Sequence, residues 1–429
     1  MKSVNLQAYL DDITLFSASL EEPKWMLDRR LEALKKVDEL ELPVIERVKY
    51  HRWPLMNVGS INEEYQGAPI LPSFDEIEDN PLVIQGRTTT FYEQMPVELA
   101  EQGVIFTDIF TAMIEHSELV EKYFMTKTVP SLEDKMTAFH TAFLNGGVFL
   151  YLPKNVVVKE AFESLFYHQQ EDTSAFVKHV LIVAEENSEL TYLERFESIG
   201  EASEKLSANI VVEVIAKPGA KVKFAAIDRL GKEVNTYMNR RAYVMKDASV
   251  DWALGLMNDG NVVADFDSEL VGEGSHSEVK VVAISAGRQV QGIDTRVTNR
   301  APHSIGHILQ HGVIREKGTL TFNGIGHIIN GAKGADAQQE SRVLMLSDQA
   351  RGDANPILLI DEFEVTAGHA ASAGRLDPEE LYYLMSRGLP QKEAERLVTR
   401  GFLGSVITAI PVKSVQEEFV QVIDRKLVD

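Results

Sequence analysis

Three groups of side chains have types and spacings that could do chemistry. His303, His307 and His311 recur at i, i+4 and i+8. That is a metal-binding stripe on a helix, and one face of a strand as well, because every spacing is even. On a strand, positions four apart lie about 13 Å from each other, too far for one metal. Pro302, Gly306 and Gly312 argue against a long helix, so ordinary surface or core histidines are the simpler reading. Asp265, Asp267 and Glu269 would share one strand face. Clustered carboxylates of this kind serve carbohydrate-active solenoids or hold calcium, and a solvated strand face is the plain alternative. His369, in DEFEVTAGHAASAG, has Asp361, Glu362 and Glu364 as oxygen donors close in sequence. Imidazole is a borderline ligand suited to iron, although a lone histidine is more often structural. The segment reads as a hinge between the last β-rich stretch and a helical tail. Lys154 and Arg351-Gly352-Asp353 read as solvated turn residues, and GEGSH (272 to 276) and GAKGAD (331 to 336) as glycine-rich corners.

What is missing narrows the chemistry further. The 429 residues contain no cysteine, which removes disulfides, thiolate nucleophiles and thiolate metal sites together. Any thiolate ligand must come from another subunit. The formal charge of -22 repels phosphate backbones and anionic headgroups, so neither nucleic acid nor a membrane surface is expected as a partner. There is no GxxxxGK[ST] and no GxGxxG opening a helix after a strand. The N-terminus lacks a signal-peptide pattern, and apolar runs such as Val148 to Leu152 fall far short of the roughly 20 residues of a spanning helix. A soluble, cytoplasmic protein is expected.

The elements that must position these groups fall into three stretches. Residues 1–145 read as an irregular, mainly helical region, with an amphipathic helix over 23 to 41 that Pro43 ends and a turn-rich stretch from about 50 to 95. Residues 146–370 form short strands rich in Val, Ile and Phe, in which a small or acidic turn followed by an alternating strand recurs. The apolar positions Leu190, Val222, Val250, Val279 and Ile305 are 26 to 32 residues apart, the coil length of a β-solenoid. Residues 371–429 turn helical again. Asp377 is placed as an N-cap, Pro378 at the first helical position and Gly388 as the stop. Two further helices follow, at 390 to 410 and from Ser414 to Leu427, with Leu397, Val398, Phe402 and Val406 on one stripe. Such a tail either caps the solenoid or docks a partner.

Several long segments carry a resemblance: EPKWMLDRRLEALKKVDELELP, FLNGGVFLYLPKNVVVKE, FNGIGHIINGAKGADAQQESRVLMLSDQARGDANP and EVTAGHAASAGRLDPEELYYLMSRGL. Nearly end to end, the chain resembles the SufB/SufD family of the SUF iron-sulfur cluster assembly system, and its cysteine-poor SufD side in particular. The resemblance implies a right-handed parallel β-helix flanked by N-terminal and C-terminal helical regions. It implies a non-catalytic scaffold that pairs with SufB through the β-helices and docks SufC, an ABC-type ATPase, through the C-terminal helices, where Leu381, Leu384, Leu397 and Phe402 would form the contact. It also implies that His369 is a ligand to a transient iron-sulfur cluster or iron shared with SufB. The isolated chain would then hold no stable cluster, and could form a homodimer. Some relatives carry a cysteine two residues before this histidine; here the residue is Ala367. Reduced flavin is a further companion that the family raises, with no residue here to place it. The competing readings are a SufB-like homodimeric scaffold, which the lack of cysteine opposes, and a cytosolic β-solenoid carbohydrate-active enzyme.

Overall fold

The computed structural model describes residues 6–62, 80–408 and 413–428. The N-terminal stretch holds α1 (Leu10–Ser19), α2 (Lys24–Lys36), β1 (Leu82–Gln85), β2 (Thr90–Gln94), α3 (Val97–Glu101), β3 (Ile105–Asp108), α4 (Ile109–Glu115), α5 (Ser117–Tyr123) and α6 (Lys135–Phe143). Helix α2 buries Met26, Ala33 and Leu34 as its spacing requires, but it stops short of residue 41. A turn in which Glu39 N–H donates to the Lys36 carbonyl closes it. The strands β1 to β3 were not expected in this stretch, and part of its turn-rich segment lies outside the described residues.

Sixteen strands then wind into eight coils. The first four coils are β4 (Gly147–Leu152) and β5 (Val157–Gln169), β6 (Phe176–Ala184) and β7 (Glu189–Ile199), β8 (Leu206–Ala216) and β9 (Lys221–Arg229), β10 (Val234–Val244) and β11 (Ser249–Leu256). The last four are β12 (Val262–Leu270) and β13 (His276–Ser285), β14 (Val290–Asn299) and β15 (Ile305–Ile314), β16 (Thr319–Ile328) and β17 (Asp336–Met345), β18 (Arg351–Ile360) and β19 (Thr366–Arg375). Even-numbered strands stack in parallel as one sheet and odd-numbered strands as the other. The chain is therefore a parallel β-solenoid with helices at both ends. The alternating Val, Ile and Phe side chains fill its lumen as one continuous core.

The coils stack through their corners. Asn155, Asn187, Gly219, Asp247, Gly274, His303 and Gly334 all have positive φ, and each donates its N–H to a carbonyl of the next coil. These are the residue types that tolerate the left-handed region most easily, His303 being the least usual. The corner readings of GEGSH and GAKGAD hold. The apolar register holds in part: Leu190, Val222 and Val250 face one another, but Val250 lies opposite Ser277, and Ile305 lies opposite His276 and is 37 % exposed. Val279 still faces the lumen, two positions along from Ser277, whereas Ile305 falls on the outer face, because the coils differ in length while their strands stay in register.

Both sheets are sealed at their N-terminal edges, β3 pairing antiparallel with β4 and the β1–β2 hairpin adding to β5. The tail forms α7 (Pro378–Ser386), α8 (Gln391–Ile407) and α9 (Lys413–Val428). Asp377 caps α7 by accepting from Glu379 N–H at 2.8 Å, and Gly388 follows with φ 95°.

Candidate functional site

The C-terminal end of the solenoid is where the sequence-selected histidine meets an unfinished surface. Strands β18 and β19 are the last members of their sheets, with no strand beyond them among the described residues. Arg351 N–H donates to the Gly318 carbonyl and Asp361 N–H to that of Ile328. Odd-numbered residues of β18 therefore bond inward, and even-numbered ones turn their main-chain groups to the open side. In β19, Thr366 N–H donates to Ala335, so the odd-numbered residues, His369 and Ala371 included, face outward. Pro356 sits where its missing N–H would have pointed into the open side, the one strand position a proline tolerates well.

His369 lies inside β19, opposite Gln339 of β17; it is not in a hinge, and the division at 370/371 falls within a strand that continues to Arg375. Gln339 is buried and donates to the Ile357 carbonyl at 2.9 Å. His369 has the same lumen-facing parity one coil further on, where no coil covers it, and so is exposed. Its neighbours Ala367, Gly368, Ala370, Ala371, Ser372, Ala373 and Gly374 are all small. They leave the imidazole as the one long side chain of the strand before Arg375, open to a partner that approaches closely.

The other candidates are already engaged. Asp361 lies 3.3 Å from His327 Nε2, Glu362 accepts from the N–H groups of Gly331 and Phe363, and Glu364 pairs with Lys333. They satisfy the preceding corner rather than surround His369, and among the described residues no group of three or more His, Asp or Glu is arranged to hold a metal. His303 is a corner residue. His307 sits 3.6 Å from Asp336. His311 donates Nδ1–H to the Phe402 carbonyl at 2.9 Å and stacks on that ring at 5.0 Å, fastening α8. Lys154 pairs with Glu186 at an exposed corner, whereas Arg351-Gly352-Asp353 opens β18 and is not a turn. The Asp265 face is not solvated either: Arg241 draws Asp265, Asp267 and Glu133 together. Burial pushes the carboxyls of Asp265 and Asp267 up to about 6 and about 7. Both carboxyls are engaged by Arg241 instead of standing free on a strand face.

The tail divides into a docked part and a bare part. Leu403, Val406, Ile407, Phe419, Val422 and Ile423 pack on Leu193, Ala225, Ile227, Ala253, Val282 and Val313 of the odd sheet. Phe419 occupies the space a side chain at Gly255 would need, 2.0 Å from an added Cβ, and Arg195 bridges Glu163 and Glu418 at 2.6 and 2.8 Å. Phe402 belongs to this docked part, half-buried against His311. Leu397 is 51 % exposed, α7 has no buried residue, and Tyr382 is 74 % exposed. Leu381 is half-buried and lines a groove of about 360 Å³ with Tyr382, Met385, Met345 and Leu346; Leu384, also half-buried, lies one turn along.

Sequence reading missed the buried polar groups at the sealed end. Lys178 donates to Gly86 O at 2.6 Å, to Gln85 Oε1 at 3.2 Å and to Arg87 O, tying the β1–β2 hairpin down. Asn209, His140, His179 and Glu213 form a fully buried chain with steps of 2.9, 3.1 and 3.2 Å. Nothing in the spacing of these residues marks them, since they meet only across α6, β6 and β8.

Two family matches cover the body of the chain. Residues 82–163 match the SufBD protein N-terminal region, and residues 166–402 match the core domain described as SUF system FeS cluster assembly, SufBD core domain. The chain belongs to the SufBD family. Its relatives there include the iron-sulfur cluster assembly protein SufD of Bacillus subtilis (strain 168), 44 % identical over 422 residues and 96 % of each chain. An iron-sulfur cluster assembly SufBD family protein of Staphylococcus epidermidis is 27 % identical over 417 residues, 94 % of this chain and 89 % of the relative. One from Staphylococcus saprophyticus is 26 % identical over 409 residues, 92 % and 87 % of the two chains. The SufBD assignment places the chain in the SUF iron-sulfur machinery, with no helix among the described residues long and apolar enough to cross a membrane.

Proposed function

We propose that this SufBD-family chain is a non-catalytic scaffold subunit that pairs with SufB through the open coil of β18 and β19 and presents His369 to a nascent cluster formed at that boundary. The observation that carries this reading is the unpaired, half-exposed terminal coil, which is sealed at its other end and bears an exposed imidazole among small side chains. The chain has no thiolate to offer. Its contribution is one imidazole nitrogen ligand for iron, with sulfur ligands supplied by the partner. The bare helix α7, with Leu381, Leu384 and the neighbouring Leu397, is the docking surface for the ATPase SufC, and Phe402 holds that tail to the solenoid.

The main test uses prolines on the open side. The N–H groups that Leu358→Pro and Ala371→Pro remove face outward, so the ladders of β18 and β19 to the preceding coil are retained while co-purification with SufB is lost; thermal unfolding checks the Leu358 variant, whose side chain also packs over Gly326. Retained pairing in both variants would refute the reading. His369→Ala should leave the complex and its ATP hydrolysis intact and lower cluster content, whereas His307→Ala should change neither. The purified single chain, reconstituted with iron and sulfide, should hold no stoichiometric cluster. Leu381→Asp should abolish SufC co-purification without affecting SufB.

A further inference from the structure

Five successive strands of the even sheet place an Asn or Asp at the same register position: Asn239, Asp265, Asp294, Asn323 and Asn355. All five project from the outer face, since Met238, Ala264, Ile293 and Phe322 beside them fill the lumen. The C-terminal half of this row is a directional hydrogen-bonded ladder. Asn355 Nδ2 donates to Asn323 Oδ1 at 2.9 Å, and Asn323 Nδ2 donates to Asp294 Oδ1 at 2.5 Å and to the Glu46 carbonyl at 3.0 Å. Every donor points back toward the sealed end, and the carboxylate of Asp294 receives the last bond. The ladder therefore finishes on the carboxamide oxygen of Asn355, an acceptor on the last strand of the sheet.

The neighbouring backbone makes that acceptor matter. Pro356 removes an outward N–H from the middle of the open edge, so main-chain pairing along β18 is interrupted beside Asn355. With main-chain pairing interrupted there, side chains help to set the register of an added strand. We propose that the strand which completes this edge carries a side-chain hydrogen-bond donor level with Asn355, so that the Asx ladder runs across the subunit boundary and sets the register of pairing. This rests on the reading of β18 as a pairing edge; it adds the chemistry required of the incoming strand, a carboxamide or hydroxyl donor rather than a carboxylate.

The test measures the affinity of the full-length chain for purified SufB. Asn355→Leu removes the acceptor and should weaken pairing about tenfold, the loss of roughly one hydrogen bond. Asn355→Asp keeps acceptor oxygens and removes the donor to Asn323; it should stay within about threefold of the native chain. Unchanged affinity for the Leu variant, or equal loss in both, would overturn the ladder. Leu358→Pro separates the two ideas: if it abolishes pairing while Asn355→Leu does not alter it, the edge is the interface and the ladder does not set its register. If Leu358→Pro and Ala371→Pro both leave pairing intact, the interface reading itself fails. Thermal unfolding of each variant verifies that the solenoid is retained.

Discussion

The two ends of the solenoid are built from the same coil and finished in opposite ways. At the N-terminal end β4 receives the antiparallel β3 and β5 the parallel β1 with its antiparallel partner β2, and helices α1, α2 and α4 to α6 cover the first coils with a core that includes Phe124, Phe139 and Phe149. Buried polar groups lock that cover: Lys178 holds the hairpin, and the chain from Asn209 to Glu213 runs through fully buried imidazoles. At the C-terminal end the last strands are left bare, their side chains are small or half-exposed, and Phe363 at the final corner is 96 % exposed. An open sheet edge is a hazard in a monomer. Under the proposed function, the end that is left open is the one at which a partner pairs.

Substitutions that sharpen this contrast differ most in stability. Arg240 is fully buried in the lumen, bonded to Glu194 at 2.6 Å and to Asp228 at 2.9 and 2.7 Å. Arg240→Ala strands two carboxylates and should cost about 3–5 kcal/mol in denaturant unfolding. Phe149→Ala, beneath the N-terminal cover, should cost about 3–5 kcal/mol as well, from the cavity it leaves. Gly255→Ala drives a methyl into Phe419 and should cost about 1–3 kcal/mol, with faster amide exchange confined to α8 and α9. Leu359→Ala, on the open coil, should change stability by under about 0.5 kcal/mol; a loss above 2 kcal/mol there would mean that the coil is packed rather than open.

The sealed end should also respond to pH. Asn209 Nδ2 donates to the Met136 carbonyl, which fixes its Oδ1 as an acceptor. His140 Nδ1–H then donates to Asn209 and His179 Nδ1–H donates to His140, which leaves the His179 Nε2 lone pair 3.2 Å from Glu213 Oε2, beside a carboxyl that also accepts from the N–H groups of Met125 and Val129. Burial pushes Glu213 up to about 8 and His179 down to about 3, in agreement with that arrangement. A carboxyl whose folded value lies above its unfolded one stabilises the fold at low pH, and this contribution is lost as pH rises through the folded value. Between about pH 6.5 and 8, above the range in which unfolded histidines take up protons, the melting temperature should therefore fall, and Glu213→Gln should flatten the fall. Equal slopes in the two proteins would remove Glu213 from the account.

The solenoid, its helical flanks and the α7 cap were legible in the sequence, because coil length, strand alternation and capping are local patterns. Asp377, Pro378 and Gly388 do their work within one turn of helix, and the corner residues repeat wherever the backbone needs positive φ. His369 was legible as a candidate through the family resemblance, although it was placed in a hinge, and the absence of cysteine already meant that any thiolate must come from elsewhere. Its place in an open edge strand was not legible, since whether a strand has a neighbour depends on where the chain stops coiling. The fate of the Asp265 face was equally hidden: Arg241 pairs it in register from the adjacent strand, and Glu133 reaches it from 132 residues earlier in the chain. The Asn355 ladder needed the full register of five strands. Local sequence fixes backbone conformation over a few residues, while burial, pairing and the charge a group can carry depend on contacts between residues distant in sequence, and these the tertiary structure alone decided.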